Sequence, residues 1–258
     1  MYFNKWQKFF LVVIALCFIT LMVLLVIDIK AENVTEELER IEEVDGLEET
    51  NEESPDAFAV AMNSKRDYLI LVNERKPYEF GGKYDKMLQN DLIWVSDTDG
   101  VPTPVEKGAY LAFSMLKAEL LNRFGINIEL YSAYRTEEDQ DWVYRHYTSI
   151  EGGEARNIAL PGCSEHHTGL VIDFHVRRHG EWVCETEEMQ TSDSYYEPIR
   201  ELLADYGFIE RYPAGKELIT GIICEPNEIR FVGSSATAHK IMDDGLCLEE
   251  YLHEWAEG

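Results

Sequence analysis

The sequence predicts an α+β fold: a single compact domain with a central, mainly antiparallel sheet flanked by helices, preceded by a transmembrane helix. Two observations predict the domain. From about residue 57 onward, short apolar runs alternate with amphipathic helical patterns, without the regular strand–helix repeat of a doubly wound sheet. The 258 residues, 45% of them hydrophobic, suffice for one sizeable core plus an appendage. A third observation predicts the appendage. Residues 9–27 form an uncharged run of 19 residues, apolar throughout but for Thr20, which as a helix reaches about 28 Å and can cross a bilayer core.

Lys5 and Lys8 precede that run and an acidic stretch follows it, a polarity that places the amino terminus inside and the carboxyl domain outside. A cleaved signal peptide ending at Ala31 is the competing reading, with Ile29 a poor residue two positions before the cut. Either reading puts the domain outside the cytoplasm, on the cell-wall side of the membrane. Residues 1–30 form the tip and anchor, residues 31–56 a spacer, and residues 57–258 the domain. The spacer carries 12 acidic side chains against one Arg. Val34, Leu38, Ile41 and Val44 recur at helical spacing, but like-charge repulsion favours an extended, solvated segment.

Within the domain, residues 68–73 read as a strand, 105–124 as a long helix stopped by Gly125, and 126–132 as a second strand. Thr136 followed by Asp139 marks a helix start, which leaves Arg135 at a strand-to-helix junction facing a cleft. Residues 170–176 and 219–224 read as buried strands. Residues 228–232 follow as another, with Pro226 marking the turn. A helix over 195–206 and two short ones after Gly233 complete the pattern.

The formal charge of −26 gives a surface that repels nucleic-acid phosphates. No P-loop, dinucleotide fingerprint or internal repeat points to nucleotides either, so no nucleic-acid partner is expected. The chemistry lies elsewhere, in the run S-x-H-x-x-G-x-x-x-D from Ser164 to Asp173 and in Glu225-Pro226-Asn227-Glu228-Ile229-Arg230-Phe231-Val232-Gly233. Alone, a His and an Asp at this spacing are usually accidental, and E-P-N-E is an ordinary acidic turn. Together, His166, Asp173, Glu225 and Glu228 are the ingredients of a catalytic zinc site, with three ligands and a general base.

These motifs resemble those of the zinc D-alanyl-D-alanine carboxypeptidases of the vancomycin-resistance (VanY) type, whose pattern is S-x-H-x-x-G-x-A-x-D followed by E-P-W-H-x-R-Y-V-G. The likeness extends to Leu71-Val72-Asn73, Ser132-Ala133-Tyr134-Arg135, Tyr212-Pro213, Thr220-Gly221-Ile222 and the segment from Gly245-Leu246 to Leu252. The resemblance implies one zinc ion held by His166, Asp173 and Glu228, with Glu225 shuttling protons between the attacking water and the departing amine. It implies that Arg135 grips a substrate carboxylate or developing negative charge. Ser164 and Gln140, with Arg135, fall where the family lines its peptide pocket. The implied substrate is a peptidoglycan stem peptide ending in D-Ala-D-Ala, hydrolysed to release the terminal D-Ala.

The chain departs from the family where Glu228 replaces the third-ligand His and Asn227 the Trp before it. A carboxylate adds negative charge beside Asp173, which makes the metal a poorer Lewis acid and favours oxygen-loving ions such as manganese. Three outcomes are open: Glu228 ligates in a working enzyme, the chain is a metal-poor stem-peptide binder, or another histidine substitutes. Of those, His175 lies two residues beyond Asp173 on the same strand face, and His167 and His239 are less well placed. Cys17 lies in the apolar run, while Cys163, Cys184, Cys224 and Cys247 are either paired outside the cell, Cys163 with Cys224 across the cleft, or buried thiols.

Overall fold

The computed structural model describes residues 66–150, 158–184, 189 and 196–254, all within a unit that runs Ser54–Gly258. The apolar run at 9–27 and the acidic spacer lie outside the described residues. Among the described residues, no helix is long and apolar enough to cross a membrane.

Helix α1 (Lys83–Asp91) leads into a hairpin of β1 (Leu92–Ser96) and β2 (Pro102–Glu106), paired antiparallel from Leu92↔Glu106 to Ser96↔Pro102. Helix α2 follows at once, over Lys107–Phe124, two residues later than its apolar pattern predicts. The Glu106 side chain sets that start by accepting the Ala109 N–H at 2.8 Å, an N-cap that a strand end can supply. Gly125 ends it in the left-handed region at φ 66°, with its N–H turned back to Leu120 and Leu121. Ala109, Ala112, Phe113, Leu116 and Leu120 recur every three or four residues and are fully buried. Burial of each Leu or Phe contributes roughly 1.5–3 kcal/mol.

That face packs on a five-stranded antiparallel sheet of order β3-β4-β7-β6, with β5 paired to β4. Its strands are β3 (Ile128–Ser132), β4 (Val171–Arg178), β5 (Glu181–Val183), β6 (Phe208–Tyr212) and β7 (Glu225–Phe231). Helix α3 (Glu137–Ile150) begins as predicted, with Thr136 and Asp139 capping each other through both backbone N–H groups. Helix α4 (Tyr196–Leu203) and a 3-10 turn (Ala204–Tyr206) precede β6. The short α5 (Glu217–Thr220) precedes β7, and α6 (Ser235–Asp243) and α7 (Leu248–Tyr251) are the two segments expected after Gly233. The α+β, antiparallel expectation therefore holds for the described domain.

Three local expectations fail. Residues 68–73 are not a strand: the Tyr68 and Ile70 carbonyls accept from the Arg230 guanidinium (3.0 Å each) and the Val72 N–H goes to Glu165 (3.1 Å). Side chains supply the partners that a neighbouring strand would have supplied. Residues 219–224 are not a buried strand either. The segment starts as the end of α5, which Gly221 closes at φ 81°, and leaves Ile223 42% exposed. Pro226 marks no turn but lies inside β7, opposite the register shift between Glu210 and Tyr212, where a missing N–H is tolerated. Strand β6 escaped prediction because Glu210 and Arg211 interrupt its apolar run, although all five of its residues are buried.

Arg211 belongs to a buried ionic cluster that explains how the sheet tolerates it. Its guanidinium donates to both Glu249 oxygens (2.8 and 3.0 Å) and reaches Glu165 at 3.2 Å, while Arg230 pairs with the other Glu165 oxygen. All four side chains are fully buried. The cluster ties β6, β7 and α7 to the turn that begins at Glu165.

Candidate metal centre

That turn, a 3-10 helix over Glu165–Thr168, presents His166. The Ser164 hydroxyl caps it by accepting the His166 N–H at 3.3 Å, and Thr168 Oγ1 donates to the Glu165 carbonyl at 2.7 Å. Gly169 closes it in the left-handed region at φ 71°, and a Cβ there would lie 2.8 Å from Leu88 Cδ1. Both facts demand the glycine of the H-x-x-G spacing. His166 Nδ1 faces the Ala133 carbonyl, which can only accept, so that nitrogen carries the proton and Nε2 turns toward the site.

Asp173 on β4 stands directly opposite Glu228 on β7 in the antiparallel register, which places two carboxylates side by side on one face. His166 Nε2 lies 3.4 Å from Asp173 Oδ2 and 3.7 Å from Glu228 Oε2. One ligand atom from each of these residues lies within 4.8 Å of the others, and they form the single such group among the described residues. Both His166 Nε2 and Glu228 Oε1 are buried without a hydrogen-bond partner. An imidazole lone pair and a carboxylate oxygen left unpaired in the interior, facing a common point, fit a cation there. The predicted ligand set is therefore brought together, Glu228 included.

The electrostatics agree. Burial and Arg135 pull the His166 imidazole down, but the Asp173 and Glu228 carboxylates outweigh them and hold it up at about 9. Without a metal, a proton takes the place of the cation, and metal binding must displace it. Burial would raise Asp173, yet His166 and Arg135 hold its carboxyl below the usual range. Glu225 is pushed well above that range by burial, then by the Glu228 and Asp173 charges, so it is a neutral acid in the metal-free site. Glu225 and Glu228 share one strand, and both line the cavity because the register shift beside Pro226 resets the alternation of faces between them.

Arg135 sits at the junction of β3 and α3, and its guanidinium is already engaged. It donates to Ser132 Oγ (3.1 and 2.8 Å), to Asp173 Oδ2 (2.8 Å) and to Gln140 Oε1 (3.3 Å). Of five N–H groups, one on Nη1 has no partner among the described residues. Gln140 is held in turn by the Ala159 carbonyl at 2.8 Å. Ser164, Gln140 and Asn227 line the same cavity of about 260 Å³. Sequence reasoning missed the service roles of Ser132 and the Ala133 carbonyl. Both lie in the S-A-Y-R string, but nothing local marks a hydroxyl as a clamp or a carbonyl as a tautomer lock.

None of the alternative histidines joins the ligand group. His175 stacks on Tyr131 (centroids 4.1 Å apart) and meets Thr98 Oγ1 at 3.3 Å. Both ring nitrogens of His167 are occupied, by the Arg135 carbonyl and the Gly162 N–H. His239 pairs with Asp205 at 2.8 Å on α6. Cys163, Cys184, Cys224 and Cys247 are all unbridged, which corrects the pairing of Cys163 with Cys224: the two line different cavities.

The chain matches the family described as "VanY: D-alanyl-D-alanine carboxypeptidase" over residues 103–234. A D-alanyl-D-alanine carboxypeptidase of Enterococcus faecalis is 31% identical over 220 residues, 81% of this chain and 74% of that protein. Among solved structures, the Zn(II) complex of a Glu-to-Ala variant of the vancomycin-resistance D,D-pentapeptidase VanY matches with a TM-score of 0.57 at 28% identity, over 72% of this chain and 98% of that one. The LdcB LD-carboxypeptidase matches with a TM-score of 0.59 at 28% identity, over 73% and 87% of the two chains.

Proposed function

Because this chain belongs to the VanY family of D-alanyl-D-alanine carboxypeptidases, we propose that it removes the terminal D-alanine from peptidoglycan stem peptides ending in D-Ala-D-Ala. It is a zinc peptidase, and His166, Asp173 and Glu228 hold the ion. The observation that carries this reading is the convergence of three ligand atoms within 4.8 Å, two of them on side chains with buried, unpartnered oxygen or nitrogen. When bound, zinc supplies a Lewis acid for the scissile carbonyl and lowers the pKa of a water.

The remaining work falls to the chain. Glu225, beside the ligands but outside their group, takes the proton of the attacking water at its carboxylate and passes it to the departing D-alanine nitrogen. Burial and then the Glu228 and Asp173 carboxylates hold it protonated in the metal-free site, and a divalent cation held by those carboxylates would offset their repulsion and leave Glu225 able to accept a proton. Arg135 keeps Asp173 in place and offers its remaining N–H to the substrate's terminal carboxylate. Ser164, Gln140 and Asn227 shape the pocket for the last two residues. The apolar run at 9–27 and the acidic spacer then hold this domain on the wall side of the membrane, a placement that protease accessibility on intact cells tests.

D-Alanine release from a D-Ala-D-Ala pentapeptide is the test of the activity. Chelation should abolish it and leave the circular dichroism spectrum unchanged, because the core and the ionic cluster do not depend on the metal. A folded protein that releases nothing at any zinc concentration would make the chain a stem-peptide binder instead. Glu228→His tests the third ligand. Imidazole nitrogen suits zinc better than a carboxylate oxygen, so zinc affinity should rise about tenfold, and one negative charge fewer on the ion leaves it a stronger Lewis acid, so turnover should rise with it. Competition with a chromophoric chelator reads the affinity. A fall in both quantities would mean that the geometry of this strand is tuned to the shorter reach of a carboxylate.

A further inference from the structure

The catalytic cavity does not end at its own walls. Ala159, Tyr212 and Ile222 line it and also line a second cavity of about 110 Å³, so the two cavities adjoin. The second cavity has an apolar floor that includes Cys163 and Ile219, and Leu218, 98% exposed, stands at its rim. Its mouth carries Arg75 and Glu74, both on the surface. In a protein with a formal charge of −26, a guanidinium without an acidic partner at the mouth of a cavity is free to meet an anionic ligand. Lys76 next door pairs with Glu254 at 2.6 Å, and Lys216 pairs with Glu250 at 2.8 Å. Among the described residues, the Arg75 guanidinium has no partner, and only its backbone N–H is bonded, to Asn73 Oδ1 at 2.9 Å.

The turn that presents Arg75 is anchored. Asn73 and Lys76 bridge each other through backbone N–H and C=O (3.1 Å each way), and the Asn73 side chain donates to Glu249 of the buried ionic cluster at 3.3 Å. Arg75 therefore projects from a fixed base, which limits the entropy lost when its side chain meets a ligand.

We infer that this second cavity receives the part of the stem peptide upstream of the scissile bond, and that Arg75 pairs with a carboxylate on that part. The inference rests on the carboxypeptidase reading. A carboxypeptidase substrate has nothing beyond its last residue, so any extension of the cleft can serve only the amino-terminal side. A stem peptide carries a free carboxylate there, on the γ-linked D-glutamate, and the apolar floor suits the carbon chains between. A carboxylate is the complement of an unpaired guanidinium.

The test uses the full chain and three substrates: N-acetyl-L-Lys-D-Ala-D-Ala, the pentapeptide with γ-D-Glu, and the same pentapeptide with that carboxylate amidated. The wild type should prefer the acidic pentapeptide over the amidated one by about fivefold in kcat/KM, the scale of a partly exposed charge pair. Arg75→Gln should erase that preference and leave the short substrate unchanged. Glu74→Gln, which removes the opposing charge, should widen it. Equal rates for the two pentapeptides in the wild type, or an Arg75→Gln loss shared by the short substrate, would overturn the assignment. Calorimetric titration with the two pentapeptides separates the two readings. A binding preference that depends on Arg75, in a protein that cleaves nothing, would sink the carboxypeptidase and keep the subsite. Equal binding of both peptides would sink the subsite alone.

Discussion

Glu225→Gln is expected to lower D-alanine release by about 10²- to 10⁴-fold, the usual contribution of a positioned acid–base group, with zinc affinity and the unfolding midpoint nearly unchanged. The separation of the two effects follows from the state of the side chain. Burial and the Glu228 and Asp173 charges keep the Glu225 carboxyl neutral in the metal-free protein, and an amide is close in shape and charge to that neutral acid. The fold therefore meets almost the same group at position 225. Only the capacity to accept a proton is lost. Glu225 also lies outside the ligand group, so the metal keeps its three donors. Steady-state rates beside chelator competition decide the matter. A variant that loses zinc along with activity would make Glu225 a ligand, and one that keeps its rate would remove it from the chemistry.

The largest effect on stability should come from Arg230→Met, which leaves Glu165 and Glu249 sharing Arg211 alone and strands the Tyr68 and Ile70 carbonyls in the interior. Breaking a fully buried ion pair from one side costs about 3–5 kcal/mol, because the two carboxylates keep their desolvation penalty while one of the two balancing cations is gone. For a domain of this size that lowers Tm by about 10 °C. Urea unfolding monitored by tryptophan fluorescence measures it. Glu165→Gln in the same chain should recover part of the loss by removing the one uncompensated negative charge of the cluster, an outcome that simple loss of packing does not predict. The lesion reaches the metal as well. Glu165 opens the turn that carries His166, so zinc affinity should fall in Arg230→Met although Arg230 touches no ligand.

Much of the molecule was legible in the chain because its signals are local. Helix α2 is written in the spacing of Ala109, Ala112, Phe113, Leu116 and Leu120, with Gly125 as its stop, and α3 in the Thr136–Asp139 cap. The three ligands and Glu225 are nominated by the resemblance of their two motifs to a known family, and the histidine turn closed by Gly169 with its following strand is the local part of that pattern. The segments that misled, 68–73 and 219–224, have strand-like composition. Their hydrogen-bond partners come from distant side chains in the first case, and a glycine-capped helical turn replaces the strand in the second.

By itself the sequence determined which groups are available, where the helices start and stop, and that a turn would present His166 toward a strand bearing Asp173. Tertiary structure alone decided that Glu228 faces Asp173 across the β4–β7 register, that a register shift brings Glu225 to the same cavity, and that Arg135 clamps Asp173. It alone decided that Arg211, Arg230, Glu165 and Glu249 neutralise one another in the core. The physical reason is range. Caps and periodicity act within a few residues, whereas strand register and charge pairing between residues 38 to 65 positions apart depend on the whole sheet closing at once.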